Sequence, residues 1–161
     1  MKRKIFAALA ISAIAFVSCK KEEPVAPAEP GSATIQGTLW ANTNEDNDTD
    51  DFGWYQFNPE YAKSGVTVTA VVDGYYLDPT PDGGYDYPEM KYTTTIGTNG
   101  AYSITVPCYN ESVDFELRFN DYTDSQLSGG NNQTTTFYMG STYWVTVWDG
   151  SVTINDYTYN D

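Results

Sequence analysis

The stretch Val113-Asp114-Phe115-Glu116-Leu117-Arg118-Phe119-Asn120 decides the fold class. Its odd positions are apolar and its even positions are polar or charged. Successive side chains of an extended strand point to opposite faces, so this order gives one buried face and one wet face. A helix, with its period of 3.6, would scatter the same four apolar groups around its axis.

The same period of two recurs on both sides of that stretch. Val66, Val68, Ala70 and Val72 alternate with Thr67, Thr69 and Val71, and Tyr102, Ile104 and Val106 alternate with Ser103 and Thr105. Tyr143, Val145 and Val147 alternate with Trp144, Thr146 and Trp148, and Ile35, Gly37 and Leu39 with Gln36 and Thr38. Between these runs lie turn dipeptides. Asn99-Gly100 would join 92–98 to 101–106, and Asp149-Gly150 would join 142–148 to 151–157, each as a two-residue hairpin with positive φ. Pro107 is expected to end its strand, because it has no N–H to give to a ladder. No segment after residue 31 has a helical period. The expectation is an all-β domain over 32–161, a single antiparallel β-sandwich of about seven or eight strands.

Composition narrows the functions. The chain has 161 residues, with 8 Lys and Arg, 22 Asp and Glu, and no His. Without Lys2, Arg3 and Lys4, five basic side chains face 22 acidic ones, a net of −17. Such a surface repels nucleic acid, whose phosphates are held by Lys and Arg. Without His there is no Ser-His-Asp triad, no Cys-His pair and no His-based zinc site. The 14 Tyr, 4 Trp and 7 Phe argue for an ordered chain, since disordered ones are poor in aromatics. Cys108 is expected to be a small packed side chain, having no basic neighbour in sequence to activate it.

The N-terminus has its own logic. Lys2, Arg3 and Lys4 precede an apolar run from Ile5 to Val17, too short for a bilayer span of about 20 residues. Charged start, short apolar middle and small residues before a cleavage point make 1–18 a secretory signal. Phe16-Val17-Ser18-Cys19 resembles a lipobox, which implies cleavage before Cys19 and acylation of its sulfur. More than one acyl chain would give lasting membrane attachment. Cys19-Lys20-Lys21-Glu22-Glu23 resembles the surface-export signal of Bacteroidetes-type lipoproteins, which implies an outer-membrane protein facing the cell exterior. The periplasmic face is the alternative. Pro24, Pro27 and Pro30 make 19–31 a semi-rigid tether.

A second resemblance covers roughly residues 33 to 120. Ile35-Gln36-Gly37-Thr38-Leu39, then Ser64-Gly65-Val66-Thr67-Val68, then the Thr-rich run Tyr92 to Thr98, Asn99-Gly100, Tyr102 and Pro107 follow one another in order. This is similar to the carboxypeptidase regulatory-like domain, a transthyretin-like, Ig-like sandwich. The resemblance implies a non-catalytic module of the kind used in folding, adhesion, anchoring or export.

Two loops are candidates for function. In the first, 41–64, Asp46, Asp48 and Asp50 have the one-three-five spacing of a calcium loop, although Asp51 stands where such a loop needs Gly. The competing reading is a solvated acidic loop. The same loop carries Trp54, Tyr55 and Phe57. The second, 73–89, is rich in Pro and Gly and carries Tyr75, Tyr76, Tyr85 and Tyr87. Trp54, Tyr55, Tyr76 and Tyr85 are therefore candidate ligand contacts, flat rings beside Asp and Asn as a sugar-binding surface requires. The same rings could instead fold inward and cap the sandwich. The expected function is a non-catalytic binding or structural module of the cell envelope, contacting a glycan or an envelope protein through both loops. A purely structural adhesin or pilus-associated subunit is the alternative. A carboxylate-pair glycosidase is disfavoured, because the acids lie in exposed runs or, like Asp114 and Glu116, on the wet face of a strand. No cofactor other than calcium is implied.

Overall fold

The computed structural model describes residues 29–109 and 112–161. The expected signal sequence, the acylated Cys19 and the tether up to residue 28 lie outside the described residues. Strands dominate. In chain order they are β1 (Gly31–Ala41), β2 (Glu60–Tyr61), β3 (Thr67–Asp73), β4 (Glu89–Thr95), β5 (Ala101–Cys108) and β6 (Val113–Phe119). Then come β7 (Tyr122–Ser128), β8 (Asn131–Phe137), β9 (Tyr143–Val147), β10 (Val152–Ile154) and β11 (Tyr157–Thr158). Helix among the described residues is confined to two short 3-10 turns, Glu45–Asn47 and Gly74–Leu77.

Two sheets face each other, which makes the domain the expected all-β sandwich. One runs β4-β3-β6-β9, antiparallel throughout. The other is built on β1, which pairs with β5 and then β2 along one edge. Along its other edge lie β10 and β11, both parallel to it. The alternation read from the sequence is what fills the space between. Ile35 and Leu39 of β1 and Tyr102, Ile104 and Val106 of β5 pack against Val68 and Ala70 of β3, Phe115 and Leu117 of β6 and Val145 and Val147 of β9. Phe115 is fully buried, and burying a side chain of that size contributes roughly 2–3 kcal/mol.

The turns differ from expectation. Asn99-Gly100 does not close a hairpin: β4 pairs with β3, whereas β5 pairs with β1 in the other sheet. Asp149-Gly150 likewise connects β9, in one sheet, to β10, in the other. Both are corners that carry the chain across the sandwich. Gly100 (φ 69°) and Gly150 (φ 73°) have the positive φ the dipeptides suggested, so the local geometry was legible and the partner strand was not. Pro107 does not end its strand either. It sits inside β5 opposite Ser32, and Ser32 gives its N–H to Asp149 and takes the N–H of Gly150. Nothing on β1 therefore needs the N–H that Pro107 lacks.

A true two-residue hairpin lies where none was expected, between β7 and β8. Ser128 pairs with Asn131 across Gly129 (φ 57°) and Gly130 (φ 74°), the conformation of a type I′ turn. It adjoins the end of the sandwich where β1 finishes, through a bridge from Leu127 to Asn44 and another from Tyr138 to Asn160.

Candidate functional site

β1 starts at Gly31 and runs about 33 Å at the usual rise per residue, so it separates two poles. The chain enters the domain at the first pole, and loop 73–89 lies there, since a cleft of about 590 Å³ is lined by Gly31, Tyr75, Tyr76, Asp78, Tyr109 and Asp149. Loop 41–64 lies at the second pole, where a groove of about 580 Å³ joins Asn42, Asp48, Tyr55 and Phe57 to Thr158 and Asp161. The structure thus does not bring Trp54 and Tyr55 together with Tyr76 and Tyr85. The two loops cannot present one shared surface, because the strand order puts their roots at opposite ends of the same sheets.

At the second pole a small hairpin carries the rings. Thr49 bridges Tyr55, Asp50 N–H donates to Trp54 O at 2.9 Å, and Gln56 N–H donates to Asp48 O at 2.8 Å. Asp50 Oδ1 accepts from both Phe52 N and Trp54 N, each at 2.9 Å, and Gly53 supplies φ 81°. The tight turn fixes Phe52, Trp54 and Tyr55 in solvent, at 87%, 75% and 73% exposure. These rings project outward; the inward packing that the sequence left open is not adopted.

Asp46, Asp48 and Asp50 do not converge. Asp46 accepts from Gly129 N at 2.6 Å and Gly130 N at 2.8 Å, so it caps the turn between β7 and β8. Asp48 is buried and accepts from Asn58 N at 2.7 Å and Asn42 Nδ2 at 2.8 Å. Asp50 builds the aromatic tip. Each carboxylate serves backbone or amide donors, which is why an acidic run can be folded tightly here. No group of three or more His, Cys, Asp or Glu side chains among the described residues could hold a metal ion. Three other oxygens of this loop, the side-chain carbonyls of Asn42, Asn44 and Asn47, are buried without a protein donor. Glu60 and Gln126 complete the base of the loop. Glu60 takes the Thr43 N–H and hydroxyl and the Asn47 amide, and the buried Gln126 donates to Asn42 O at 2.9 Å.

At the first pole the tyrosines form a chain of edge-to-face contacts. Tyr76 meets Tyr75 at 5.5 Å, Tyr75 meets Tyr87 at 5.5 Å, and Tyr87 meets Tyr85 at 4.8 Å between centroids. Asp73 caps the 3-10 turn by accepting from Tyr75 N. The N–H of Thr80 and the hydroxyl of Tyr87, both donated to Asp78, hold that carboxyl below its ordinary range. Tyr76 and Tyr85 remain 62% and 64% exposed.

Cys108 lies in the core, where burial and then the nearby Asp149 charge push its thiol up, away from the reactive range. Sequence reading passed over one further pair. Trp144, on the outer face of β9, and Trp148, the residue after that strand, stand 65% and 56% exposed, although their alternation with Tyr143, Val145 and Val147 already placed them on the wet side.

No family model matches this chain, and no curated protein matches it in sequence. Among solved structures it is similar to a candidate carbohydrate-binding protein from Pseudomonas aeruginosa, at 18% identity and TM-score 0.38, over 83% of this chain and 92% of that one. It is similar also to the major plantain pollen allergen Pla l 1, at 12% identity and TM-score 0.36, over 80% and 92%. A third is the shaft pilin SpaA from Lactobacillus rhamnosus GG, at 11% identity and TM-score 0.39, over 81% of this chain and 50% of that one. Likeness this low leaves function to be argued from the residues themselves.

Proposed function

We propose that this chain is a lipid-anchored, non-catalytic binding module of the bacterial outer membrane, acylated at Cys19 and facing the cell exterior. Its partner is a glycan or an envelope protein met by the tip at 52–57. One observation carries the reading: Phe52, Trp54 and Tyr55 project into water from a hydrogen-bonded turn at the pole opposite the entry of the chain at Gly31. A module tethered through residues 19–31 turns that pole away from its membrane. Large exposed aromatics are costly to leave in solvent and are concentrated at interaction hot spots, where they add area at little loss of conformational freedom. The Asn and Asp groups lining the adjacent groove supply acceptors and donors for hydroxyls. The lack of histidine in the whole chain supports a non-catalytic role.

The test is glycan-array and envelope-extract binding by the mature domain, compared with Trp54→Ala and Tyr55→Ala. Each substitution is expected to weaken binding roughly tenfold, the scale of an aromatic hot spot. Unchanged binding in both variants would remove the tip from the reading. Fractionation of cells carrying Cys19→Ser, with fatty-acid labelling, checks the anchor: label and membrane retention should both vanish.

A further inference from the structure

We propose that the outer face of β9 is a second binding surface, a platform for an extended chain of a neutral polysaccharide. The inference shares a ligand class with the preceding reading but uses different residues, so the two fail on different variants. It begins with placement. Residues i and i+4 of extended backbone share a face, so Trp144 on β9 and Trp148, the residue that follows the strand, stand about 13 Å apart with Thr146 between them. Val145 and Val147 on the other face are buried in the core, which anchors the backbone that carries the indoles.

The neighbouring row, on β6, completes the surface. Glu116 lies opposite Trp144 and Asp114 opposite Thr146, whose hydroxyl donates to Asp114 Oδ1. Arg118 follows on the same face. Its guanidinium reaches Glu116 at 2.6 Å and Glu89 of β4 at 3.1 Å, and Lys91 joins Glu89 at 3.3 Å. Hydrogen bonds from Arg118 hold both glutamates below the ordinary carboxylate range. A row of rings thus runs about 4.8 Å from a row of ordered acceptors and donors. Rings present flat apolar area to the C–H face of a pyranose, and the charged row meets its hydroxyls.

The two features choose the occupant between them. Two exposed indoles, spaced by more than one sugar ring, suit a long chain rather than a single residue. Charge complementarity selects against polyanions: the chain carries a net charge of −14, and the row beside the indoles is itself acidic. Carboxylates accept hydrogen bonds from the hydroxyls of an uncharged sugar without that penalty.

Affinity electrophoresis tests this with the mature domain in gels containing hydroxyethylcellulose, galactomannan or xylan, and with alginate as the polyanion. At least one neutral polymer should retard the domain. Trp144→Ala and Trp148→Ala should each weaken retardation roughly tenfold, and the double variant should abolish it. Ile154→Ala, an exposed side chain on β10 that belongs to neither surface, should leave it unchanged. Because both indoles are exposed, the melting temperature of these variants should match that of the parent, which separates lost binding from lost folding. The proposal is overturned by retardation in alginate alone, by no retardation in any neutral polymer, or by full retardation of the double variant. It is also overturned if only Trp54→Ala abolishes binding, a result that keeps the tip reading intact. A dimer in size-exclusion chromatography that both tryptophan substitutions dissolve would assign the face to self-association and overturn it as well.

Discussion

At the scale of single residues, the buried tyrosines tie the pole structure to pH. Tyr102 donates its hydroxyl to Asn155 O at 2.8 Å and Tyr159 donates to Asn120 O at 3.0 Å. Burial raises both phenols well above their ordinary value, with smaller contributions from nearby Tyr157 and Asp156 for the first and Tyr122 and Asp121 for the second. A raised folded-state value means that the folded chain holds the proton more tightly than the unfolded one. The associated stability is therefore complete below the unfolded phenol value of about 10, and is lost as pH rises through the folded values. The urea midpoint is expected to stay level up to roughly pH 10 and then to fall steeply. The double variant Tyr102→Phe, Tyr159→Phe should start lower by the loss of two hydrogen bonds, roughly 1 kcal/mol each, and show a flatter alkaline limb. An unaltered limb in that variant would assign the alkaline loss to other groups. These tyrosines were legible only in part: Tyr102 fell on the apolar side of its alternation, whereas nothing near Tyr159 in sequence announced a partner at Asn120.

At the scale of elements, the corner glycines separate conformation from space. Gly65 has φ 86° and open room where a Cβ would be, whereas Gly100 has φ 69° and a Cβ there would lie 2.4 Å from Leu39 O. Gly65→Ala should cost about 1–2 kcal/mol, the strain of a left-handed conformation alone. Gly100→Ala should cost more, because Leu39 also donates its N–H to Gly100 O at 2.9 Å and the two backbones cannot separate without opening β1. Urea unfolding of the two variants checks the order, and equal losses would contradict the clash. The elements also show what alternation can and cannot reveal. Val113–Phe119 was readable because one side of it faces a dry core. The hairpin of β7 and β8 was not, because Thr, Ser, Asn and Gln fill most of its positions, and only Tyr122 and Phe137 at its open end carry it into the core. Its Gly129-Gly130 turn was the signal available in the sequence. The corners at Asn99-Gly100 and Asp149-Gly150 were readable as turns but not as crossings, since a dipeptide fixes its own φ and ψ and not the sheet its flanking strands join.

At the scale of the whole molecule, the final strands hold the sandwich closed. β10 and β11 keep a constant register along β1, with Thr34 beside Val152 and Leu39 beside Tyr157. Where the ladder is interrupted, Asp156 Oδ1 accepts the N–H of Thr38 at 2.7 Å, and Gly37 makes room for Asn155 O, which would sit 1.7 Å from a Cβ. Removing residues 151–161 would bare the edge of β1 and take away Tyr157 and Tyr159, both packed in or against the core. The shortened domain is expected to lose its cooperative thermal transition and to aggregate, as open edges do. A sharp transition near the parent temperature would show that β1 needs only β5. The same architecture sets the poles apart, which is why the loop aromatics cannot act as one surface.

The order of greasy and polar groups determined, without help, that this chain is a β-sandwich and which face of each main strand is dry. It also placed Trp144 and Trp148 on a wet face and denied the chain histidine chemistry. Those properties follow from period-two geometry and from composition, which are local. Only the tertiary structure decided which strands are neighbours, that the two aromatic loops lie at opposite poles, and that Asp46, Asp48 and Asp50 serve three separate sets of donors. Those outcomes depend on contacts such as Asp46 with Gly129, 83 residues away, and no local pattern encodes them.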